Sequence, residues 1–265
     1  MTGEAFERYR KEALPFIESR LREVVEGELA ELYRYVVEGG KRLRPALTLL
    51  ISEAFGGDSR MALDLACSVE LTHCASLALD DILDWHEERR GKVALHRLEG
   101  LQKAVTTGFT MPSLALNLAA KYGVEYPKML TDAWVSMCMG VYQEADPGDL
   151  SWKAYRKSVE LKTARLFSTA CMFGARAAGQ DGRGFEEYGL HLGRAFQMAD
   201  DIMDGIDGGR QVVADRLKME VETEARTAVR LTDRWEAKRE DLAEALRNAP
   251  VAIASLQKVE RLEGS

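Results

Sequence analysis

The chain has little of what interrupts helices or staples small folds. Only six prolines occur in 265 residues. Stretches that alternate strictly between apolar and polar side chains are scarce, which argues against a sheet-based fold. The four cysteines (Cys67, Cys74, Cys138 and Cys171) form no C-x-x-C pair. That spacing reads as buried, reduced thiols of a cytosolic protein. No apolar run approaches the ~20 residues that a membrane span needs. The opening stretch, MTGEAFERYRKEALPF, lacks an apolar signal core, so a cytoplasmic protein is expected. Nor is there an excess of base. Thirty-six Lys and Arg against 43 Asp and Glu leave a net charge of −7, which argues against a general binder of nucleic acid or anionic membranes. A phosphate-bearing ligand would therefore need a local basic cluster or a metal.

What is present is helical periodicity. Hydrophobic residues make up 46% and charged residues 30%, as in ordinary globular chains. The pattern predicts helices over 3–36, with a break at Glu26-Gly27, and from Pro45 to Gly56-Gly57. Asp58-Ser59 should cap a further helix that runs through LDLACSVELTHCASLALDDILD. A charged loop, Trp85 to Lys92, separates this from helices expected at 98–121, 126–143, 150–179, 184–205 and 216–247, with a short last piece at 250–262. With no repeat and no Pro/Ser-rich linker, the expectation is one all-α domain over residues 1–265.

Two stretches read D-D-x-x-D: Asp80-Asp81-Ile82-Leu83-Asp84 and Asp200-Asp201-Ile202-Met203-Asp204. On a helix the first and fifth residues share a face one turn apart, and the second lies about 100° around. Three carboxylates should then point into one volume and repel each other. A hard divalent cation such as Mg²⁺ would relieve that repulsion. A solvated acidic face is the plain alternative for one copy. Two copies, each preceded by apolar residues (Leu77, Ala78 and Leu79; Phe196, Met198 and Ala199), suit a cavity wall better.

Two basic clusters accompany the carboxylates. Gly39-Gly40-Lys41-Arg42-Leu43-Arg44-Pro45 places three cations ahead of a helix start, where the helix dipole prefers an anion. A bound phosphate removes that conflict. Arg89-Arg90-Gly91-Lys92 follows the first aspartate stretch by one short loop. It could grip phosphate oxygens or merely pair with Glu87 and Glu88. His73 lies about two turns before Asp80 on the same helix and should face the same side, unless it is simply a satisfied core histidine.

Taken together these residues resemble the trans-isoprenyl diphosphate synthases, or polyprenyl synthetases. The order G-G-K-R-L-R-P, His73, D-D-x-x-D, R-R-G-K, His96 is similar to the family's. So are Gln143-x-x-Asp146, the pair Lys162-Thr163, and Phe196-Gln197 before the second aspartate stretch. The resemblance covers roughly residues 35 to 220. It implies an isoprenoid-synthase-type helical bundle around a central cavity, usually a homodimer. It also implies Mg²⁺-dependent head-to-tail condensation of isopentenyl diphosphate with an allylic prenyl diphosphate. By resemblance, Asp80, Asp81, Asp84, Asp200 and Asp204 would hold Mg²⁺. Arg89, Lys162 and Gln197 would contact the allylic diphosphate. Lys41, Arg44, His73 and Arg90 would hold isopentenyl diphosphate, and Thr163 would line the reacting carbons.

The pattern departs from the family at three places. Phe109 follows Gly108 where the family often has aspartate. Gly209-Arg210 stands where a phosphate-binding Gly-Lys is usual, so Arg210 would take the lysine's part. A K-x-T-x-P element is missing, which implies a domain shortened near its C-terminus. Small residues at Ala75 and Ser76, about one turn before Asp80, would leave room for a product of about twenty carbons or longer, with Phe109 or Met111 as alternative floors. Two other readings compete. One is a class I terpene cyclase, which the second D-D-x-x-D and the basic cluster disfavour. The other is a non-catalytic subunit of a heteromeric synthase, which retention of both aspartate stretches disfavours.

Overall fold

A computed structural model describes residues 3–144, 151–203 and 211–263, with the side chains of 216–255 in the last two helices. The chain forms twelve α-helices among these residues: α1 (Glu4–Val24), α2 (Ala30–Val37), α3 (Leu43–Ala54), α4 (Ser59–Leu83), α5 (Leu95–Leu98), α6 (Leu101–Ala119), α7 (Glu125–Glu144), α8 (Trp152–Val159), α9 (Arg165–Ala177), α10 (Arg183–Met203), α11 (Gln211–Thr232) and α12 (Glu240–Glu263). A 3₁₀ turn (Ala120–Tyr122) follows α6, and one π turn (Glu160–Ala164) joins α8 to α9.

α4 is the axis. Asp58 caps it, its carboxylate accepting from the Met61 N–H at 2.8 Å. The middle of the helix is apolar on nearly all sides and packs against α3, α6 and α9. By length and hydropathy α4 could cross a membrane, yet 72% of that apolar window is buried in the bundle. A helix that is hydrophobic all round belongs in a core as readily as in a bilayer. α10 lies beyond α9 and packs on α9, α11 and α12.

Two boundaries differ from the sequence expectation. The helix expected over 216–247 is two helices, broken at 233–239. Trp235 there stacks on Phe185 with ring centroids 4.2 Å apart and also meets Phe55 and Tyr188 edge-on. The Lys238 N–H donates to the Ala54 carbonyl at 2.8 Å. Helical propensity loses here to an aromatic cluster and a long-range hydrogen bond. Pro250, expected to open the last piece, instead lies inside α12. In addition, the Trp85–Lys92 loop holds a two-residue hairpin, β1 (Glu88–Arg89) with β2 (Lys92–Val93). Arg90 and Gly91 at its tip have φ of 55° and 71°, as a type I′ turn requires at both central residues.

Candidate active site

A cavity of about 870 Å³ opens between the start of α3, the C-terminal half of α4, the hairpin, α7, the π turn and α10. Asp80, Asp84 and Asp200 are among its lining residues. Burial pushes the Asp80 carboxyl up from its ordinary value; Lys162 pulls it back and Asp84 adds repulsion. A desolvated carboxylate with incomplete compensation attracts a cation. Among the described residues, no three His, Cys, Asp or Glu side chains stand close enough for a closed metal cage. The donor set instead fits Mg²⁺, which keeps several waters and takes one or two carboxylates plus phosphate oxygens. Asp204 and Arg210, and with them Asp146 of the Q-x-x-D stretch, lie outside the described residues.

The second aspartate of each stretch does not join the first. Asp81 is buried and turned out of the cavity lining. Its Oδ1 accepts from Arg89 Nε at 2.8 Å and Nη2 at 2.5 Å. The 100° offset, expected to fall within one arc, is enough to swing it to the hairpin side of α4. Asp201 accepts from the Tyr155 hydroxyl at 2.5 Å and from Gln197 Nε2 at 2.8 Å. The carboxylate can only accept, so the Gln197 amide nitrogen must face it. Gln197 Oε1 then takes the Thr163 hydroxyl proton at 2.6 Å. Each middle aspartate thus orients a neighbour, Arg89 or Gln197, whose side chain borders the cavity.

The cavity also has a basic lining, made by Lys41, Arg44, His73, Arg89 and Arg90. Arg44 is 7% exposed, lies 4.2 Å over the Phe167 ring, and its Nε has no partner. Burial pushes its pKa down to about 10, so it remains charged at neutral pH. Burial, and then the charges of Arg44, Arg90, Arg42 and Arg89, hold His73 well below the usual imidazole value. That potential would welcome an anion. Neither Glu87 nor Glu88 neutralises the hairpin arginines: Glu87 pairs with Arg97. Arg90 reaches the backbone carbonyls of Val37 and Glu38 at 3.5 and 3.4 Å. Arg42 also borders the cavity, but it is buried and paired with Glu18 and Glu70.

Lys162 and Thr163, also in the lining, lie on the π turn. Such single-turn bulges often mark functional sites. This one is gripped from both sides by glycines. A Cβ on Gly140 of α7 would lie 2.8 Å from the Lys162 backbone nitrogen, and one on Gly193 would lie 2.5 Å from the Ala164 Cα. Glu160, at the head of the turn, accepts from Arg194 at 2.6 Å and Arg165 at 2.7 Å. The Lys162 ammonium meets Glu144 at 2.8 Å. Burial opposes its charge, but the Glu144 hydrogen bond and the Glu144, Asp80 and Asp84 charges together raise its pKa.

Other expected positions fall elsewhere. Ser76 lines the cavity, but Ala75 is fully buried in the core beside α6, as is Met111. Phe109 is 68% exposed and so forms no floor. Gln143 is exposed. The sequence reading did not anticipate Glu144, Tyr155, or the α7 wall of Trp134, Met137, Cys138 and Val141. The 134/137/138/141 spacing was the available signal, being one helical face.

A family model described as polyprenyl synthetase matches residues 26–259. A short chain isoprenyl diphosphate synthase of Methanothermobacter thermautotrophicus is 37% identical over 182 residues, 64% of this chain and 55% of that protein. The chain therefore spans just over half the length of that relative. Among solved structures, a geranylgeranyl pyrophosphate synthase superposes with a TM-score of 0.85 at 22% identity, over 93% of this chain and 98% of that one. A polyprenyl synthase from Caulobacter crescentus CB15, complexed with calcium and isoprenyl diphosphate, superposes with a TM-score of 0.79 at 23% identity, over 96% and 98%. At those identities the likeness is one of fold.

Proposed function

The chain belongs to the polyprenyl synthetase family, and from that premise we propose that it condenses isopentenyl diphosphate head-to-tail with an allylic diphosphate. One observation carries the reading. A single cavity is lined by carboxylates (Asp80, Asp84, Asp200), by a basic group (Lys41, Arg44, His73, Arg90), and by Lys162, Thr163 and Gln197. Two diphosphates need two separate anion sites, and only one of them needs a metal.

Asp80, Asp84 and Asp200, with Asp204 by resemblance, would hold Mg²⁺. When bound, the ion supplies positive charge to the allylic diphosphate as its carbon–oxygen bond breaks. Arg89 and Lys162 add fixed positive charge where the leaving group collects negative charge. The bond's electron pair leaves with the diphosphate. The isopentenyl double bond supplies the pair for the new carbon–carbon bond, and loss of a proton restores an alkene. Lys41, Arg44, His73 and Arg90 would hold the second diphosphate, so that its double bond meets the cationic carbon near Thr163. Asp81 and Asp201 act one step back, by holding Arg89 and Gln197 in place. The apolar α7 wall keeps water from the cation.

We read the product as about twenty carbons or longer, supported by Ser76 on the cavity wall, and the working unit as a homodimer. The test is a product assay: protein, Mg²⁺, labelled isopentenyl diphosphate and, in separate reactions, dimethylallyl, geranyl, farnesyl or geranylgeranyl diphosphate. A Mg²⁺-dependent elongated product is expected. Allylic diphosphate consumed alone to hydrocarbon or alcohol would indicate a cyclase. No turnover with any starter would overturn the synthase reading and leave the non-catalytic subunit.

A further inference from the structure

Arg42 stands between Lys41 and Arg44, yet it does not behave as a ligand-binding cation. It is 1% exposed, and every guanidinium nitrogen is committed. Nε donates to Glu18 of α1 at 2.8 Å, Nη1 to Glu70 of α4 at 2.7 Å, and Nη2 to the Val37 carbonyl at the end of α2 at 2.5 Å. Glu70 is itself 2% exposed. One side chain thus ties three helices to the start of a fourth. The fork geometry of a guanidinium suits that task, and a lysine's point charge does not.

The backbone is shaped to this arrangement. Arg42 occupies the left-handed region, φ 53° and ψ 34°, immediately ahead of α3. That conformation is uncommon for a residue with a side chain and persists where the surroundings impose it. A Cβ on Gly40 would fall 2.3 Å from Arg42 Nη1 and 3.1 Å from both terminal nitrogens of Arg90. The glycine therefore lets the loop lie directly on two guanidinium groups. Arg10 adds a hydrogen bond to the Lys41 carbonyl at 2.8 Å.

We propose that Arg42 is a positioning residue for the basic diphosphate site: its buried bonds to Glu18, Glu70 and Val37 set the backbone that presents Lys41 and Arg44 to the cavity. The inference rests on the reading of the basic lining as the isopentenyl diphosphate site. Its consequence is selective. Loss of the fork displaces the second-substrate site and leaves Asp80, Asp84 and Asp200 in place, since none of them is a partner of Arg42.

The test uses Arg42→Lys and the double variant Arg42→Met/Glu70→Gln, which leaves no unpaired buried carboxylate at 70. Steady-state kinetics are run with each substrate varied in turn, and isopentenyl diphosphate binding is followed by calorimetry. Displacement of anchoring groups by an ångström is worth about ten- to a hundredfold, so KM for isopentenyl diphosphate should rise about tenfold or more. KM for the allylic diphosphate should stay within about twofold. If both variants fail to fold, Glu18→Ala replaces them; it removes one bond from the edge of the network and should raise the same KM by a smaller factor. An isopentenyl diphosphate KM equal to that of the unaltered protein in whichever variants fold would overturn the proposal. So would an equal rise in both KM values, which marks a general loss of structure. Absence of isopentenyl diphosphate binding by the unaltered protein would defeat the site reading itself, and that outcome is distinct from either.

Discussion

His73 sits among four guanidinium groups in the cavity wall, and its protonation is opposed by burial and by their charge together. The sign of the pH effect follows. The unfolded chain takes up a proton at this imidazole as pH falls through 6.5, and the folded chain does not until a lower pH. Stability is therefore full above 6.5 and declines as pH drops toward the folded-state value, by up to about 1.4 kcal/mol per pH unit. His73→Gln should remove that part of the slope. Denaturant unfolding at pH 7.5, 6.5 and 5.5 measures it, and equal slopes in the two proteins would contradict the assignment. The same field accounts for Arg44: a buried cation whose Nε lacks a partner has unfilled capacity that a diphosphate oxygen can satisfy.

At the scale of elements, α7 acts as the measured wall. Gly140 is pressed against the Lys162 backbone, so the C-terminal end of α7 lies beside the lysine proposed to meet the allylic diphosphate. Val141, Cys138, Met137 and Trp134 then descend the cavity on one face. Trp134 is six residues from Gly140, about 9 Å along the helix axis, and it is the bulkiest of these side chains. It should limit how far a growing chain can extend. Trp134→Ala should lengthen the product by one or more five-carbon units, read by chromatography of the dephosphorylated products; an unchanged length would exclude it as the floor. The π turn belongs to this scale too. Gly189 and Gly193 of α10 bring its backbone against Ser168 and Ala164, and that approach sets Gln197 within hydrogen-bond reach of Thr163.

For the whole molecule, charge networks hold the far side of the bundle. Glu224 of α11 is buried, pairs with Arg156 of α8 at 2.8 Å, and also pairs with His191 of α10. Burial opposes the Glu224 charge, but these partners outweigh it and hold its pKa down. The other whole-molecule feature is an apolar stripe. Val135, Met139 and Tyr142 recur at helical spacing on α7 and are 53%, 46% and 71% exposed. Such a stripe fits a self-complementary contact with a second copy. Sedimentation velocity should find a dimer, and Met139→Glu should shift it to monomer. A monomeric unaltered protein would rule the contact out.

Much of this was determined by the sequence alone. Helical periodicity and the scarcity of proline specify an all-α chain. Asp58 announces the start of α4, and the paired aspartate stretches with the two basic clusters supply charged residues that line the cavity. These are local signals, carried by spacing along one helix or one loop. The tertiary structure decided what depends on a partner distant in sequence. Trp235 ends α11 because Phe55 and Phe185 wait for it. Asp81 leaves the other carboxylates because Arg89 is on its side of α4, and Asp201 turns to the Tyr155 hydroxyl on α8. Arg42 reads in the sequence as one cation among three, and becomes a buried tie only once Glu18 and Glu70 arrive from two other helices. Spacing shows which residues share a face, but a charged side chain goes where its desolvation is best compensated, and only the packed bundle supplies that.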